Sequence, residues 1–315
     1  MISYIIRRFM RIIIIVFCIT VFSFILTVVI PGSAALALIG PEGASEEYIQ
    51  YMEHKLGVDQ PIYIRYYNWA SGIITGELGI SSRTRQPVAL MLWQRLPITL
   101  ELIIISIVIS VIASFFSALM SGRYFGSWFD NLILFFTTIG ISIPRFWVGM
   151  MLVLVFSIKF NIFPSGGYIS INNGIGKNLS SMILPAIALS PIIYASLTRQ
   201  LRSSVIEQLK EDYVRTARSK GAEESAVLYK HVLRNALIPS ISILGLTTGR
   251  LVGGSVIIEK VFSLPGVGNL IMDGFLFRDT AVVQIGLLIV GTSVCFMNFA
   301  ADLLYAFVDP RIRYE

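Results

Sequence analysis

The chain has 315 residues, of which 55% are hydrophobic and only 14% charged, with a formal net charge of +6 and a mean hydropathy of +0.75. Soluble domains carry roughly 25% charged residues, so the polar coat that this much apolar sequence would need in water is missing. A disulfide scaffold is excluded, because the only cysteines are Cys18 and Cys295, each inside an apolar run. Disorder is excluded by the lack of polar low-complexity sequence.

A spanning helix needs about 20 mostly apolar residues. Six segments meet that demand, at 12–30, 98–121, 131–157, 180–198, 236–258 and 281–307. None alternates polar and apolar residues as a membrane barrel strand does. The chain reads as an all-α integral membrane protein with six transmembrane helices. The first span follows Arg7, Arg8 and Arg11 and precedes Ala35-Leu36-Ala37, the pattern of a cleaved leader. Its apolar run exceeds the leader core of about 7–15 residues, so it is expected to stay as a helix.

Segment 31–97 then forms a long loop that mixes Glu42, Glu46, Glu47, Glu53 and Asp59 with Tyr63, Tyr66, Tyr67 and Trp69. Within it, 46–56 reads as a short helix stopped by Gly57. Aromatic residues in such a place form either an interfacial cap or a docking surface for a partner. The chain thus divides into 1–97, the first span with its loop, and 98–315, a five-helix core. The fourth span is the shortest and is interrupted by Pro185 and Pro191. Prolines 144, 185, 191 and 239 are expected to kink or bound helices, and Gly245, Gly249, Gly253 and Gly254 to let helices pack closely.

Lysine and arginine are distributed unevenly. With the N-terminus inside, the inner segments hold fourteen, eight of them in 199–235, while the short outer loops hold four. The positive-inside rule then puts both termini in the cytoplasm, and the charge of +6 requires no nucleic acid. In the inner loop, Ile206, Leu209, Tyr213 and Ala217 recur at helical spacing, Gly221 breaks the helix and a second begins near Glu223. That apolar stripe has to pack on a membrane surface or a partner protein.

Several chemistries are absent. The sequence has no G-x-x-x-x-G-K-[ST] phosphate loop and no H-E-x-x-H. His54 and His231 fall on opposite sides of the membrane, so they share no metal, and neither lies in a span to serve a Ser/His/Asp site. A transporter built on this chain draws its energy from a partner or an ion gradient. An ion-coupled carrier or channel is the competing class, but no repeated halves are visible.

The stretch Glu211-Asp212-Tyr213-Val214-Arg215-Thr216-Ala217-Arg218-Ser219-Lys220-Gly221 resembles the EAA loop of ABC importer permeases. Arg215-Thr216-Ala217 stands where Glu-Ala-Ala would, and Gly221 holds the glycine. The ending His231-Val232-Leu233-Arg234 departs from the general pattern, whereas Asn235-Ala236-Leu237-Ile238-Pro239 is similar to the dipeptide, oligopeptide and nickel branch. Leu56-Gly57-Val58-Asp59-Gln60-Pro61, Gly76-Glu77-Leu78-Gly79, Arg95-Leu96-Pro97-Ile98-Thr99-Leu100-Glu101-Leu102 and Ser142-Ile143-Pro144 with Phe146-Trp147 resemble the same branch. So do Phe262-Ser263-Leu264-Pro265-Gly266-Val267-Gly268, Arg278-Asp279, Asp302-Leu303-Leu304-Tyr305-Ala306 and Asp309-Pro310-Arg311. A first span followed by a long outer loop resembles the B-type subunit.

The resemblance implies a type I ABC importer permease fold and a non-catalytic subunit that moves peptides inward, with nickel or a metal chelate as the alternative cargo. It implies a second homologous permease subunit, two cytoplasmic ATPases and an extracytoplasmic substrate-binding protein, in a bacterial or archaeal cell membrane. No cofactor is expected on this chain, ATP and magnesium belonging to the ATPases. The ATPase-coupling residues it implies are Glu207, Glu211, Asp212, Tyr213, Arg215, Thr216, Ala217, Lys220 and Gly221.

Two intramembrane arginines stand outside that pattern. Measured along straight helices at 1.5 Å per residue, Arg145 and Arg250 each lie about 21 Å above the inner end of their spans. A charge there costs at least about 2.5–3.5 kcal/mol, so it faces a cavity or a partner. Arg145 and Arg250 are therefore substrate-path candidates, with a structural ion pair or snorkelling to an interface as the competing roles. Trp147 is a third candidate, for which plain packing is the simpler role.

Overall fold

The computed structural model describes residues 2–29, 45–55 and 59–308, and these are helical with short connections. The expected leader-like Ala35-Leu36-Ala37, the Gly57 stop, Leu56 and Val58, and the Asp309-Pro310-Arg311 ending with Arg313 lie outside the described residues.

Helix α1 spans Ile2–Val29, α2 Glu46–Lys55, α3 Ile62–Thr75 and α4 Val88–Arg123. Helix α5 runs over Trp128–Ser142, and α6 over Arg145–Leu152 before widening into a π-helical turn at Val153–Lys159. Helices α7 (Ile175–Leu189) and α8 (Pro191–Gln208) meet end to end. Then come α9 (Asp212–Ser219), α10 (Glu224–Ala226) with a π-turn at Val227–Val232, and the long α11 (Leu233–Val261). Helices α12 (Val267–Leu276) and α13 (Thr280–Val308) end the described residues.

Three stretches are continuous and apolar enough to cross a membrane: Ile6–Leu26, Val88–Arg123 and Thr280–Ala300. The other three crossings are bent pairs. The α5–α6 pair bends by 107°, α7–α8 by 60° and Glu224–Ile241 with Ile243–Val261 by 44°. Counting each pair as one crossing gives the six expected, but the third is not the straight run drawn from 131 to 157. Ile143 and Pro144 are both extended, with ψ of 132° each. A residue before proline is driven out of the helical region, and proline has no N–H to continue the ladder, so α5 stops and α6 starts in a new direction. Pro191 likewise opens α8 at its first turn, where its missing N–H costs nothing. Pro97 does not bound its helix: the second span begins at Val88, ten residues before the expected 98, and runs through it.

Helix α4 shows how the bundle is built. Its outward stripe is Ile104, Val108, Ile112 and Phe116, all exposed, while the opposite stripe Ser106, Ser110, Ser114 and Ser121 is buried. Lipid offers nothing to gain by hiding leucine, so small residues that let backbones approach go inside. Ser110 Oγ donates to Ser190 O at 3.1 Å and Ser114 Oγ to Tyr194 O at 3.1 Å, which ties α4 across the α7–α8 bend. The loop before α7 is anchored to α4 through Glu101, which accepts from Tyr168 Oη at 2.8 Å and from Asn178 Nδ2 at 2.7 Å. Burial and that carboxylate push the Tyr168 hydroxyl up to about 12, so it stays a donor.

Helix α3 settles part of the aromatic question. Tyr66 and Trp69 pack against Phe24 of α1, with ring centroids 5.5 and 5.7 Å apart, and Tyr66 Oη lies 2.8 Å from Thr20 Oγ1. They cap α1, whereas Tyr63 and Tyr67 point away and are exposed.

Candidate functional site

Two places carry chemistry, and the first is the turn between α8 and α11. The apolar stripe does not run along one helix from Ile206 to Ala217, as its spacing implied. Helix α8 ends at Gln208, Glu211 is extended (ψ 148°), and α9 restarts with Asp212 in its first turn, where a carboxylate suits the positive end of the helix. Ile206 thus stands on the preceding helix. Leu209, Tyr213, Val214 and Ala217 converge with Ala118, Leu119, Val227, Leu228 and Val232 into one apolar cluster. The stripe is therefore covered by this chain itself, which corrects the expectation that a membrane or partner must cover it.

What remains outside is polar. Glu207, Glu211, Asp212, Arg215, Thr216 and Lys220 are exposed, while Tyr213 and Ala217 are half-buried. The Tyr213 hydroxyl donates to Gln208 Oε1 at 2.7 Å. Asp212 and Arg215 are 96% and 78% exposed and 3.5 Å apart, so each keeps most of its donors or acceptors free for another surface. Gly221 closes the module with φ of +80°, although a Cβ there would meet nothing within 4 Å. Conformation rather than space makes this position a glycine. The turn is pinned from both sides: Arg218 Nη2 and Nε donate to Glu224 Oε1 and Oε2 at 2.5 and 3.1 Å.

The second place is one face of α11. Leu246, Arg250, Gly253 and Ile257 recur every three or four residues, and all four are exposed in the chain. Arg145 reaches the same face from α6. Its Nη1 takes the space of a missing side chain, 1.3 Å from where a Cβ on Gly254 would stand. Arg145 is half-buried, and neither it nor Arg250 has a hydrogen-bond or ion-pair partner among the described residues. Because α6 begins at Arg145, the depth of about 21 Å drawn along a straight third span does not hold for it. Trp147, two residues on, is 45% exposed rather than packed within the chain. Among the α11 glycines, Gly249 does admit a close neighbour, Asn298 Oδ1 at 2.7 Å from a Cβ. Gly253 meets nothing and Gly254 seats an arginine, so neither serves the close helix packing expected of it.

Two further clusters escaped the sequence. Asp130 of α5 takes both prongs of Arg202 of α8 at 2.7 Å and also accepts from Ser121 and the Gly126 N–H, with its side chain 2% exposed. Glu259 of α11 is fully buried and accepts from Thr99 Oγ1 at 2.7 Å and the Asn269 N–H at 2.9 Å. A Cβ on Gly266 would lie 2.4 Å from the Glu259 Cδ, and one on Gly268 would lie 2.9 Å from Oε2. The Pro265-Gly266-Val267-Gly268 stretch is thus a cradle in which α12 starts around a carboxylate. The available signal was an acid inside an apolar span, which is expensive unless held.

A helical bundle with up to six apolar crossings, one charged turn and an exposed helix face that bears Arg250 is the build of an integral membrane protein. The chain belongs to the binding-protein-dependent transport system inner membrane components: the family model matches residues 110–314, and the model of the family's N-terminal region matches 1–103. It is a multi-pass inner-membrane protein. Over the full length of both chains it is 38% identical to the oligopeptide transport system permease protein AppB of Bacillus subtilis. It is likewise 35% identical to the dipeptide transport system permease protein DppB of Alkalihalophilus pseudofirmus and 36% to the glutathione transport system permease protein GsiC of Escherichia coli.

Proposed function

We propose that this chain is the B-type permease subunit of an ABC importer that carries peptides inward. It pairs with a second, homologous permease subunit above two cytoplasmic ATPases, which hold the ATP and magnesium, and receives cargo from an extracytoplasmic binding protein. The chain itself catalyses nothing. The observation that carries this reading is the α9–Gly221–α10 turn, whose apolar side is spent on its own bundle and whose charged ridge is left outward. A rigid turn of that kind passes motion of an ATPase groove to α8 and α11 as a rigid-body switch. The excess of lysine and arginine on that side supports placing it, with both termini, in the cytoplasm.

The relatives are named for dipeptides, oligopeptides and glutathione, which supports peptides over nickel or a metal chelate. The test is ATP-driven uptake into vesicles holding the whole importer, with labelled short peptides compared against labelled nickel, free and chelated. Peptide accumulation is expected. Accumulation of the metal alone would reverse the cargo assignment, and uptake without ATP would overturn the importer.

A further inference from the structure

Arg145 reaches from α6 to the side of α11 that carries Arg250. Gly254, against which the Arg145 guanidinium rests, is four residues from Arg250, about 6 Å along the axis. Both are cations without an acceptor among the described residues, Arg250 exposed on α11 and Arg145 half-buried against its neighbouring Gly254. The contrast within the same bundle is sharp, since Arg202 has a bidentate carboxylate and Arg218 has Glu224. Arg145 is also the first residue of α6, at the positive end of that helix, so its own helix supplies no compensating charge. A guanidinium left so in a membrane bundle needs an anion from outside the chain, and its planar fork matches a carboxylate.

We infer that Arg145 and Arg250 form a carboxylate station on the passage side of α11, which holds the C-terminal carboxylate of a peptide in transit. This rests on the peptide reading above and deepens it. A passage that takes peptides of many sequences can be prepared in advance only for what all of them share, and of the two backbone charges a free peptide carries, the terminal carboxylate is the one that a guanidinium attracts. Two arginines that reach neighbouring turns of α11 suit a moving ligand: the carboxylate passes from one fork to the other, and neither site has to be tight. The seat on Gly254 fixes the aim of Arg145 without neutralising it, as an internal carboxylate would.

The test uses the complete importer in vesicles and one labelled peptide in two forms, free acid and C-terminal amide, both first shown to bind the delivery protein. Arg145→Gln, Arg250→Gln and the double variant are expected to cut free-acid uptake tenfold or more while moving amide uptake less than twofold. Arg145→Lys should restore part of the loss. Gly254→Ala displaces the flexible end of Arg145 and should reproduce the Arg145→Gln selectivity with the charge still present. Equal losses for acid and amide would overturn the station, as would a failure of the arginine variants to assemble with the second permease subunit, which marks a structural ion pair. Failure of the unaltered importer to take up either peptide would instead sink the peptide reading, and the station with it.

Discussion

Arg202 and Arg145 each stand in the second half of a bent crossing, yet they live in opposite conditions. Arg202 is clamped by Asp130 through two 2.7 Å hydrogen bonds, and the clamp joins α5, α8 and the end of α4. Arg145 rests on a glycine and meets no acceptor among the described residues. A cation whose counter-charge lies inside the chain belongs to the architecture, and its loss is felt as stability. A cation whose counter-charge must arrive from elsewhere belongs to function, and its loss is felt as selectivity.

The largest expected effect breaks the first half of that comparison. Asp130→Leu leaves the Arg202 guanidinium largely enclosed without its carboxylate, and stranding one partner of a buried pair costs about 3–5 kcal/mol. Thermal unfolding of the purified subunit in detergent should show a large drop in midpoint. Double replacement with Arg202→Met should recover much of it, because two apolar groups bury no unpaired charge. A single variant as stable as the double one would show that the clamp is not structural. Arg145→Gln in the same measurement should leave the midpoint unchanged or raised.

A smaller effect separates shape from coupling. Gly221→Ala forces a side chain to φ of +80°, a strain of about 1–2 kcal/mol, with no neighbour to collide with. Gly126, in the turn between α4 and α5, has φ of +77° and equally open space, so Gly126→Ala imposes the same strain elsewhere. Both variants should lower stability alike, but only Gly221→Ala should let ATP hydrolysis proceed with peptide uptake reduced severalfold. Equal transport in the two would remove the coupling role from this turn.

The same contrast explains what could be read from the chain before its fold was known. The six crossings were legible because apolar length is a one-dimensional property, and Gly221 because a glycine between two amphipathic stretches has few other uses. The 107° bend was only half legible: Pro144 announced a break, but its direction depends on what α6 packs against, including the Phe262 ring 3.2 Å from a Cβ on Gly149. The serine stripe of α4 was passed over, since serines in an apolar run read as interruptions until a partner backbone is placed beside them. The two long-range clusters were invisible for a plainer reason. Asp130 and Arg202 are 72 residues apart, and Thr99 and Glu259 are 160 apart, so no local spacing links them. Arg145 and Arg250 were singled out by cost alone, and only the fold brought them to one face.

The smallest expected effect lies where a charge pair is fully exposed. His54 Nδ1, in the last turn of α2, and Asp59 Oδ2, beyond its end, are 2.6 Å apart, with side chains 84% and 46% exposed. The hydrogen bond to Asp59 raises the His54 pKa above 6.5, and the bond from His54 lowers that of Asp59 below 3.8. A raised histidine contributes fully below 6.5, and its contribution fades as pH climbs through the higher folded value. A lowered carboxylate contributes above 3.8 and fades as pH falls through its lower folded value. The tie between them is therefore complete only between those limits and is lost on the alkaline side through His54. Titration of the His54 ring by NMR should show a midpoint above 6.5 that falls back in Asp59→Asn, and peptide uptake across the same range should not follow it. Water screens this pair as it screens neither Arg202 nor Arg145, so an ion pair open to solvent carries neither architecture nor selectivity. Uptake that tracked the His54 midpoint would break that rule and move the α2 segment into the transport machinery.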